Sequence, residues 1–468
     1  MLVRVFAIEQ FHHFAYMAVG VAMLGYGASG TLVAGLGDRA QRFGERWWPR
    51  AVALTSVALI AAPALVHLID LDATRLIWEW RPWVAVAAVY AVLAVPFALG
   101  ALAILLALTA ERERPGVLYG ASFVGAAAGA LGALLALRLA LPPRALAVPA
   151  LIAAAAALLA ARGAWRWLPA AAAVAAMAWP PWRLALTPYK GLAQVEAYPD
   201  ARRVAERASP VGWTVAVRAA AFRHAPGLSL GYRGAFPPQT ALFLDGDLAG
   251  AAADWSAVPE AGELFEWLPS AAAYALGQPA HVLVVGGADG IETWSALAHG
   301  AGRVTAVELS HDLGTLVRRH SSPSLAADPR VAWVTGDARG AIARSDERFD
   351  LVVLGPGGGF GATAAGVHAL NEDFLHTVEA YETYLERLQP GGVLAVTRWV
   401  TVPPRASVRV ILTAAAALRR RGAGTVAGGI VVTRGWGTAT VLVKPSGFQP
   451  EDLARLRRWA AERDFDLD

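Results

Sequence analysis

The sequence predicts a multi-pass α-helical membrane domain over residues 1–182, a small β-rich domain over 183–262 and an α/β domain over 263–468. Three observations carry this reading. Long apolar segments follow one another from Phe6 to about Trp182, and the texture then turns rich in Pro, Gly and Arg. From Glu263 onward apolar strands alternate with helical stretches, the pattern of a parallel sheet covered by helices. Of the 468 residues, 56% are hydrophobic and only 17% are charged, whereas soluble domains carry about a quarter charged residues. Disorder is excluded, because so much apolar side chain does not stay solvated.

The candidate spans are Phe14–Leu36, Ala51–Ile69, Trp83–Leu108, Val117–Leu139, Ala145–Ala161 and Trp165–Trp182. Crossing the hydrocarbon takes about 20 apolar residues; the middle segments satisfy this and the last two are marginal. Phe14–Leu36 is too long for a cleaved signal peptide, and its flanks are wrong for one. Six spans are expected, although with a cytoplasmic C-terminus they leave Arg39, Arg42, Arg46 and Arg50 outside. Five spans, with Trp165–Trp182 at the interface, put that cluster inside, and a helix preceding Met1 would also change the count. Either way the chain is expected in the cell (inner) membrane with its C-terminal half in the cytoplasm. Gly116/Gly120 and Gly125/Gly129 are expected to let helices approach closely, and exposed Ala/Gly faces suit a homo-oligomer. Glu9, His12 and His13 cluster where the first span begins, as interfacial anchors or as a substrate site.

Charge says little about partners. The 41 Lys+Arg against 37 Asp+Glu leave a net charge of +4, and Lys190 and Lys444 are the only lysines. Such an Arg-for-Lys bias reads as coding composition, so no nucleic-acid partner is expected. The absence of Cys excludes disulfides, thiolate zinc sites and Cys nucleophiles, and no metal site is expected.

Between Trp182 and Glu263, short β-like runs such as Trp213–Val217 and Ala241–Leu244 suit a small β domain. The chemistry lies further on. The strand beginning at His281 opens into Gly286-Gly-Ala-Asp-Gly290, followed by a helical stretch Ile291–His299. Glycines there let the backbone turn sharply and approach a ligand closely. A second strand, Arg303–Val307, ends in Glu308, placed to accept hydrogen bonds from ribose hydroxyls. A third, Val331–Thr335, ends in Gly336-Asp337-Ala338, where Asp337 could instead cap the next helix. A fourth, Phe349–Leu354, contains Asp350 and runs into Gly355-Pro-Gly-Gly-Gly359. A helix over Asn371–Leu388 and a break at Gln389-Pro-Gly-Gly392 precede a fifth strand, Val393–Thr397.

This combination resembles the class I S-adenosylmethionine-dependent methyltransferase fold, a Rossmann-like sheet with its ligand at the carboxyl ends of the strands. Gly286-Gly-Ala-Asp-Gly290 is similar to the spermidine synthase form of the turn, and Leu244-Asp245-Gly246 to the segment entering that family's active site. The whole chain resembles membrane-embedded spermidine synthase-like proteins. The match is carried by His12-His-Phe-Ala-Tyr-Met17, Leu24-Gly-Tyr-Gly-Ala-Ser-Gly30, Pro188-Tyr-Lys-Gly191, Pro226-Gly-Leu-Ser229 and Thr397-Arg-Trp399. The resemblance implies S-adenosylmethionine or its decarboxylated form as co-substrate. It places Gly286, Gly287, Asp289, Gly290, Glu308, Asp337 and Ala338 around the adenosyl moiety, with Asp289 toward the aminopropyl or methionine end.

The chain departs from that family where the proton is handled. Aminopropyltransferases end strand four with Asp-Ser-Ser-Asp-Pro, whose first Asp deprotonates the attacking amine; here Gly355 and Gly358 hold the Asp positions. The family's Tyr-His pair before the first strand is replaced by Leu264-Phe265. An ammonium with a pKa of about 10 must lose a proton before it attacks. Asp289, Asp245 and Glu266 are the candidate catalytic groups, with Asp247, His368 and Glu372 as further acids and bases. The expected activity is transfer of a methyl or aminopropyl group to a small-molecule or lipid acceptor, with the lipid bilayer as partner. The alternatives are a spermidine synthase-type aminopropyltransferase, and a transporter or sensor with a non-catalytic nucleotide-binding domain.

Overall fold

The structure, a computed structural model, describes all residues except 10–11, 70, 72–77, 112, 161–162, 179–183, 256–257, 287–289, 322, 357–372 and 423–425. The chain divides into two compact units, Met1–Thr187 with Ala208–Trp213, and Pro188–Arg207 with Thr214–Asp468.

In the first unit, four helical stretches are long and apolar enough to cross a membrane among the described residues: Met17–Val66, Arg81–Ala110, Pro115–Leu139 and Pro142–Ala160. A straight 50-residue helix would run about 75 Å, more than twice the roughly 30 Å of bilayer hydrocarbon. The first stretch is instead divided into His12–Leu36 and Ala40–Val66 by a 3-10 turn at Gly37–Arg39, where Gly37 takes φ 50°. Trp167–Ala178 has 12 residues, about 18 Å of helix.

Close helix packing arises at other glycines than expected. A Cβ on Gly25 would stand 2.8 Å from Ala98 N and 2.9 Å from Ala94 O, and one on Gly44 would stand 2.8 Å from Leu106 O. Only glycine permits those approaches. Gly116, Gly120, Gly125 and Gly129 have nothing within 4 Å of a built Cβ, because helix Pro115–Leu139 buries Leu137 alone among its residues. Glu9 is a structural tie: its buried Oε1 accepts from Ala185 N at 2.8 Å, and its carbonyl accepts from Thr187 N at 3.0 Å. The side chains of His12 and His13 lie outside the described residues.

The second unit holds two sheets. Strands β1 (Arg202–Ala208), β2 (Trp213–Arg218), β3 (Gln239–Leu244) and β4 (Asp247–Ala253) form an antiparallel sheet in sequence order. Leu244 pairs with Asp247 across the two-residue turn Asp245-Gly246, both at positive φ (52° and 79°). That is the type I′ geometry matching strand twist, and Asp-Gly is among its preferred sequences. The fully buried Lys190 Nζ closes the turn, donating to Asp245 O at 3.0 Å and to Asp247 Oδ2 at 2.8 Å. Leu242, Ala216 and Ala252 of this sheet pack on Leu313, Leu316 and Val317 of helix His311–His320.

The larger sheet comprises β5 (His281–Val285), β6 (Arg303–Glu308), β7 (Val331–Thr335), β8 (Phe349–Leu354), β9 (Leu388–Trp399), β10 (Ile430–Arg434), β11 (Thr438–Val443) and β12 (Asp466–Leu467). Their order is β12-β10-β11-β9-β8-β5-β6-β7. Strands β5 to β9 pair in parallel, and β10, β11 and β12 add an antiparallel edge. Alternation splits the core. Val282, Val284, Leu351 and Val353 face one layer with Leu456 and Trp459, while Leu283, Val285, Val352 and Leu354 face Tyr381, Tyr384 and Leu418 on the other. The chain leaves β5 to build β6 and β7 on one side, then returns to build β8 and β9 on the other. The switch point therefore lies between β5 and β8, where doubly wound sheets open a crevice at the strands' carboxyl ends.

Two expected elements differ. Gln389-Pro-Gly-Gly392 does not break the chain before the fifth strand; it is an irregularity inside β9, whose pairing with β8 shifts between Phe349↔Leu388 and Leu351↔Val393. Gly391 takes φ 82°, and a Cβ on Gly392 would lie 3.1 Å from Phe349 O, so the bulge is absorbed by glycine. The preceding helix is Val378–Glu386, shorter than Asn371–Leu388. Thr377 caps it, accepting from Ala380 N at 3.2 Å, after a 3-10 turn at Phe374–His376.

Candidate functional site

Three strand ends lie side by side at the switch point. Gly286, after β5, takes φ 77°, a conformation costly for L side chains, and nothing lies within 4 Å of a built Cβ. Its N–H donates to Val307 O at 3.0 Å, and Gly336 N donates to Glu308 O at 2.9 Å, so both turns are extensions of the ladder. Gly290, at φ 64°, opens helix Ile291–Ala298. Gly287 and Asp289 lie outside the described residues.

Glu308 ends β6 and is buried; its Oε1 accepts from Ser310 N at 2.9 Å. Asp337 is exposed and caps helix Ala338–Arg344, its Oδ2 accepting from Gly340 N at 2.6 Å. The capping reading of Asp337 is thus realised. Ala338 is buried at the start of that helix, against the face that carries Leu283 and Val285.

On the β8 side of Gly286 lies a cavity of about 130 Å³. Val285, Gly286, Leu354, Gly355, Pro356 and Arg398 contribute the ends of β5, β8 and β9. Asp373, Leu375 and His376 come from the turn before helix Val378–Glu386, and His224, Pro226 and Ala249 from the smaller sheet and its loops. Gln239 holds the His224 segment from both sides: its Oε1 accepts from His224 N at 2.6 Å, and its Nε2 donates to His224 O at 2.8 Å. Burial pushes the His224 imidazole down to about 4, so the ring is uncharged at neutral pH. Arg398 Nη2 donates to Asp373 Oδ2 at 2.6 Å, and His376 Nδ1 stands 3.0 Å from the Tyr381 hydroxyl. His376 is driven down to about 3, first by burial and then by Arg398, with Asp373 opposing.

The sequence-derived acids and bases do not gather here. Asp245 is the buried turn residue of the β3–β4 hairpin, and Asp247 pairs with Lys190. Glu266 lies half-exposed between His299 Nε2 at 3.2 Å and Arg463 Nη2 at 3.4 Å. The His299 imidazole beside it holds its carboxyl below the ordinary range, against the opposing effect of burial. None of the three lines the cavity. His368 and Glu372 fall outside the described residues, as do Gly357, Gly358 and Gly359. Leu264 and Phe265 are buried in an apolar cluster with Trp255 and Tyr232. Asp350 sits at the opposite end of the sheet, its Oδ2 accepting from Ala280 N and His281 N at 2.9 and 2.8 Å. The groups that sequence reasoning missed are His224, Asp373 and His376. For Arg398 a signal existed, since it is the centre of Thr397-Arg-Trp399.

No protein-family model matches the chain. In sequence it is 29% identical over 123 residues to a polyamine aminopropyltransferase of Korarchaeum cryptofilum, covering 25% of this chain and 35% of that one. It is 30% identical over 162 residues to polyamine aminopropyltransferase 2 of Pseudomonas aeruginosa, covering 33% of this chain and 42% of that one. The chain therefore spans less than half the length of the curated relatives it matches. Among solved structures, a probable spermidine synthase from Corynebacterium glutamicum is 15% identical with a TM-score of 0.39, covering 58% of this chain and 90% of that chain. The spermidine synthase from Thermotoga maritima is 16% identical with a TM-score of 0.36, covering 54% and 75%. By its two sequence relatives, the chain is similar to polyamine aminopropyltransferases, the group its strand-end motifs resemble.

Proposed function

We propose that the C-terminal unit transfers an aminopropyl group from decarboxylated S-adenosylmethionine to a short amine. We propose too that the N-terminal unit is a multi-pass domain holding it at the cell (inner) membrane, with the transferase in the cytoplasm. The observation that carries the reading is the placement of Gly286 between two sets of groups. Glu308 and Asp337 stand at the ends of β6 and β7 on one side, and the cavity stands at the ends of β8 and β9 on the other. From β7 to β9 is four strand spacings, roughly 19 Å, a span suited to an adenosyl donor and its acceptor laid end to end. At about 130 Å³ the cavity is well below the roughly 300–1,000 Å³ of sites enclosing drug-sized ligands, which favours a short amine over a lipid. The donor sulfonium is already a good electrophile, so the protein contributes mainly alignment of the two reacting atoms.

Detergent-purified protein given decarboxylated S-adenosylmethionine and putrescine is expected to release methylthioadenosine only when both are present. Formation of S-adenosylhomocysteine from S-adenosylmethionine would instead establish methyl transfer. Neither product would leave the fold as a non-catalytic nucleotide-binding domain. Asp337→Ser separates its two roles, because serine caps about as well as aspartate. It is expected to weaken methylthioadenosine binding by about 3–10-fold, the worth of one hydrogen bond, while leaving the thermal midpoint unchanged. Wild-type affinity would reduce Asp337 to a cap.

A further inference from the structure

We propose that Asp373 receives the acceptor amine's proton, standing in for the strand-four carboxylate that Gly355 cannot supply; this rests on the aminopropyl-transfer reading above. Among the described residues lining the cavity, Asp373 is the one carboxylate. Strand register explains how it reaches the right place. Leu354 of β8 pairs with Val396 of β9, so two residues further along stand Pro356 and Arg398, level with the turn that begins at Gly355. Arg398 projects from that point and holds Asp373 at 2.6 Å. A carboxylate borne by the turn before helix Val378–Glu386 is thereby brought beside the end of β8, into the cavity that Gly355 also lines.

The carrier turn is fixed by buried groups. The Tyr384 hydroxyl donates to Leu375 O at 3.2 Å, the Tyr381 hydroxyl lies 3.0 Å from His376 Nδ1, and both rings are fully buried. A tautomer of His376 protonated on Nε2 accepts from Tyr381 and turns its N–H toward Asp373 Oδ2, 3.9 Å away. The titratable and charged groups around Asp373 and the neighbouring His376 are Arg398, Arg409, Tyr381 and Tyr384. Burial drives both phenols upward, so they keep their protons, and His376 and His224 stay uncharged. The charges in the cluster are then Asp373, Arg409 and, bonded to the carboxylate, Arg398. The guanidinium disfavours an ammonium beside it, while the Asp373 side chain is 43% exposed and can pass a proton to water.

The step balances as follows. The ammonium gives one proton to the Asp373 carboxylate. The freed nitrogen lone pair attacks the aminopropyl carbon on the sulfonium, a C–N bond forms as the C–S bond breaks, and the bonding pair stays on sulfur as neutral methylthioadenosine. The product leaves as a protonated secondary amine, and Asp373 returns its proton to solvent.

The test compares wild type, Asp373→Asn and Asp373→Glu in methylthioadenosine release from decarboxylated S-adenosylmethionine and putrescine, from pH 6 to about 10, alongside calorimetric methylthioadenosine binding. Asp373→Asn is expected to lose about 100-fold or more in kcat at neutral pH with donor-side affinity unchanged. Its residual rate should climb tenfold per pH unit toward the acceptor's pKa, because only pre-formed free amine reacts. Asp373→Glu should recover part of the rate. Turnover in Asp373→Asn within threefold of wild type, or a pH profile of wild-type shape, overturns the assignment alone. No turnover by wild type overturns the transferase reading, and this assignment with it. A variant that loses methylthioadenosine binding along with the rate identifies Asp373 as a structural support and also overturns it.

Discussion

Replacing Lys190 with methionine is expected to destabilise the C-terminal unit by about 3–5 kcal/mol, the cost of leaving one member of a buried ion pair uncompensated. The side chain is 0% exposed and Asp247 16% exposed. Without the ammonium, the Asp247 carboxylate and the Asp245 carbonyl both lose a donor at the tip of the β3–β4 hairpin. At roughly 2–4 °C per kcal/mol for a domain of this size, the thermal midpoint should fall by about 6–20 °C. The double variant Lys190→Met with Asp247→Leu should recover most of the loss, because an apolar pair in place of a buried ion pair is often neutral or better. Thermal unfolding in detergent measures both. A fall of under 2 °C in the single variant would mean that the hairpin holds its shape through Asp245-Gly246 alone. The conversion of a sequence motif, Pro188-Tyr-Lys-Gly191, into a structural lock also explains why that motif contributes nothing to the cavity.

The second large effect is expected at Glu308. Glu308→Ala should weaken methylthioadenosine binding by about 10–100-fold, since hydrogen bonds to a charged acceptor contribute about 1.5–3 kcal/mol. One confounding contact is visible. Glu308 Oε1 accepts from Ser310 N, and Ser310 Oγ caps helix His311–His320 by accepting from Leu313 N at 3.2 Å. Glu308→Gln keeps an oxygen for Ser310 while removing the charge, so it should remain folded and still bind weakly. If both variants bind as wild type does, Glu308 is a local brace and the adenosyl group, if bound at all, is held elsewhere. Calorimetry at one pH and ionic strength decides between these outcomes.

How much of the site was legible depended on how local each signal was. The strands β5 to β8 and their end residues were readable because each signal is local: an apolar run, then a residue whose backbone or side chain suits a ligand. Gly286, Glu308 and Asp337 lie at the ends of β5, β6 and β7, and Gly290 opens the helix after β5. Asp337 could be read two ways, and only the 2.6 Å bond to Gly340 N showed that the cap is made. Glu372, one of the sequence-derived acids, immediately precedes Asp373. Asp373 has no distinguishing mark in the sequence until Arg398 is brought to it.

The sequence by itself determined the alternation of apolar strands and helices, the sharp glycine turns and the apolar N-terminal segments. Those follow from side-chain periodicity and backbone freedom over a few neighbouring residues. Only the tertiary structure decided which glycines meet a neighbouring helix, with Gly25 and Gly44 in contact and Gly116 to Gly129 in the open. It also decided that Pro390-Gly-Gly392 lies within a strand, and that His224, Asp373 and Arg398 share one cavity. The reason is physical. Parallel pairing of β8 with β9 sets the level at which Arg398 emerges, and helix crossing sets which glycine faces a backbone. Both are registers between segments distant in sequence, chosen by packing of the whole core and not by any residue's own preference.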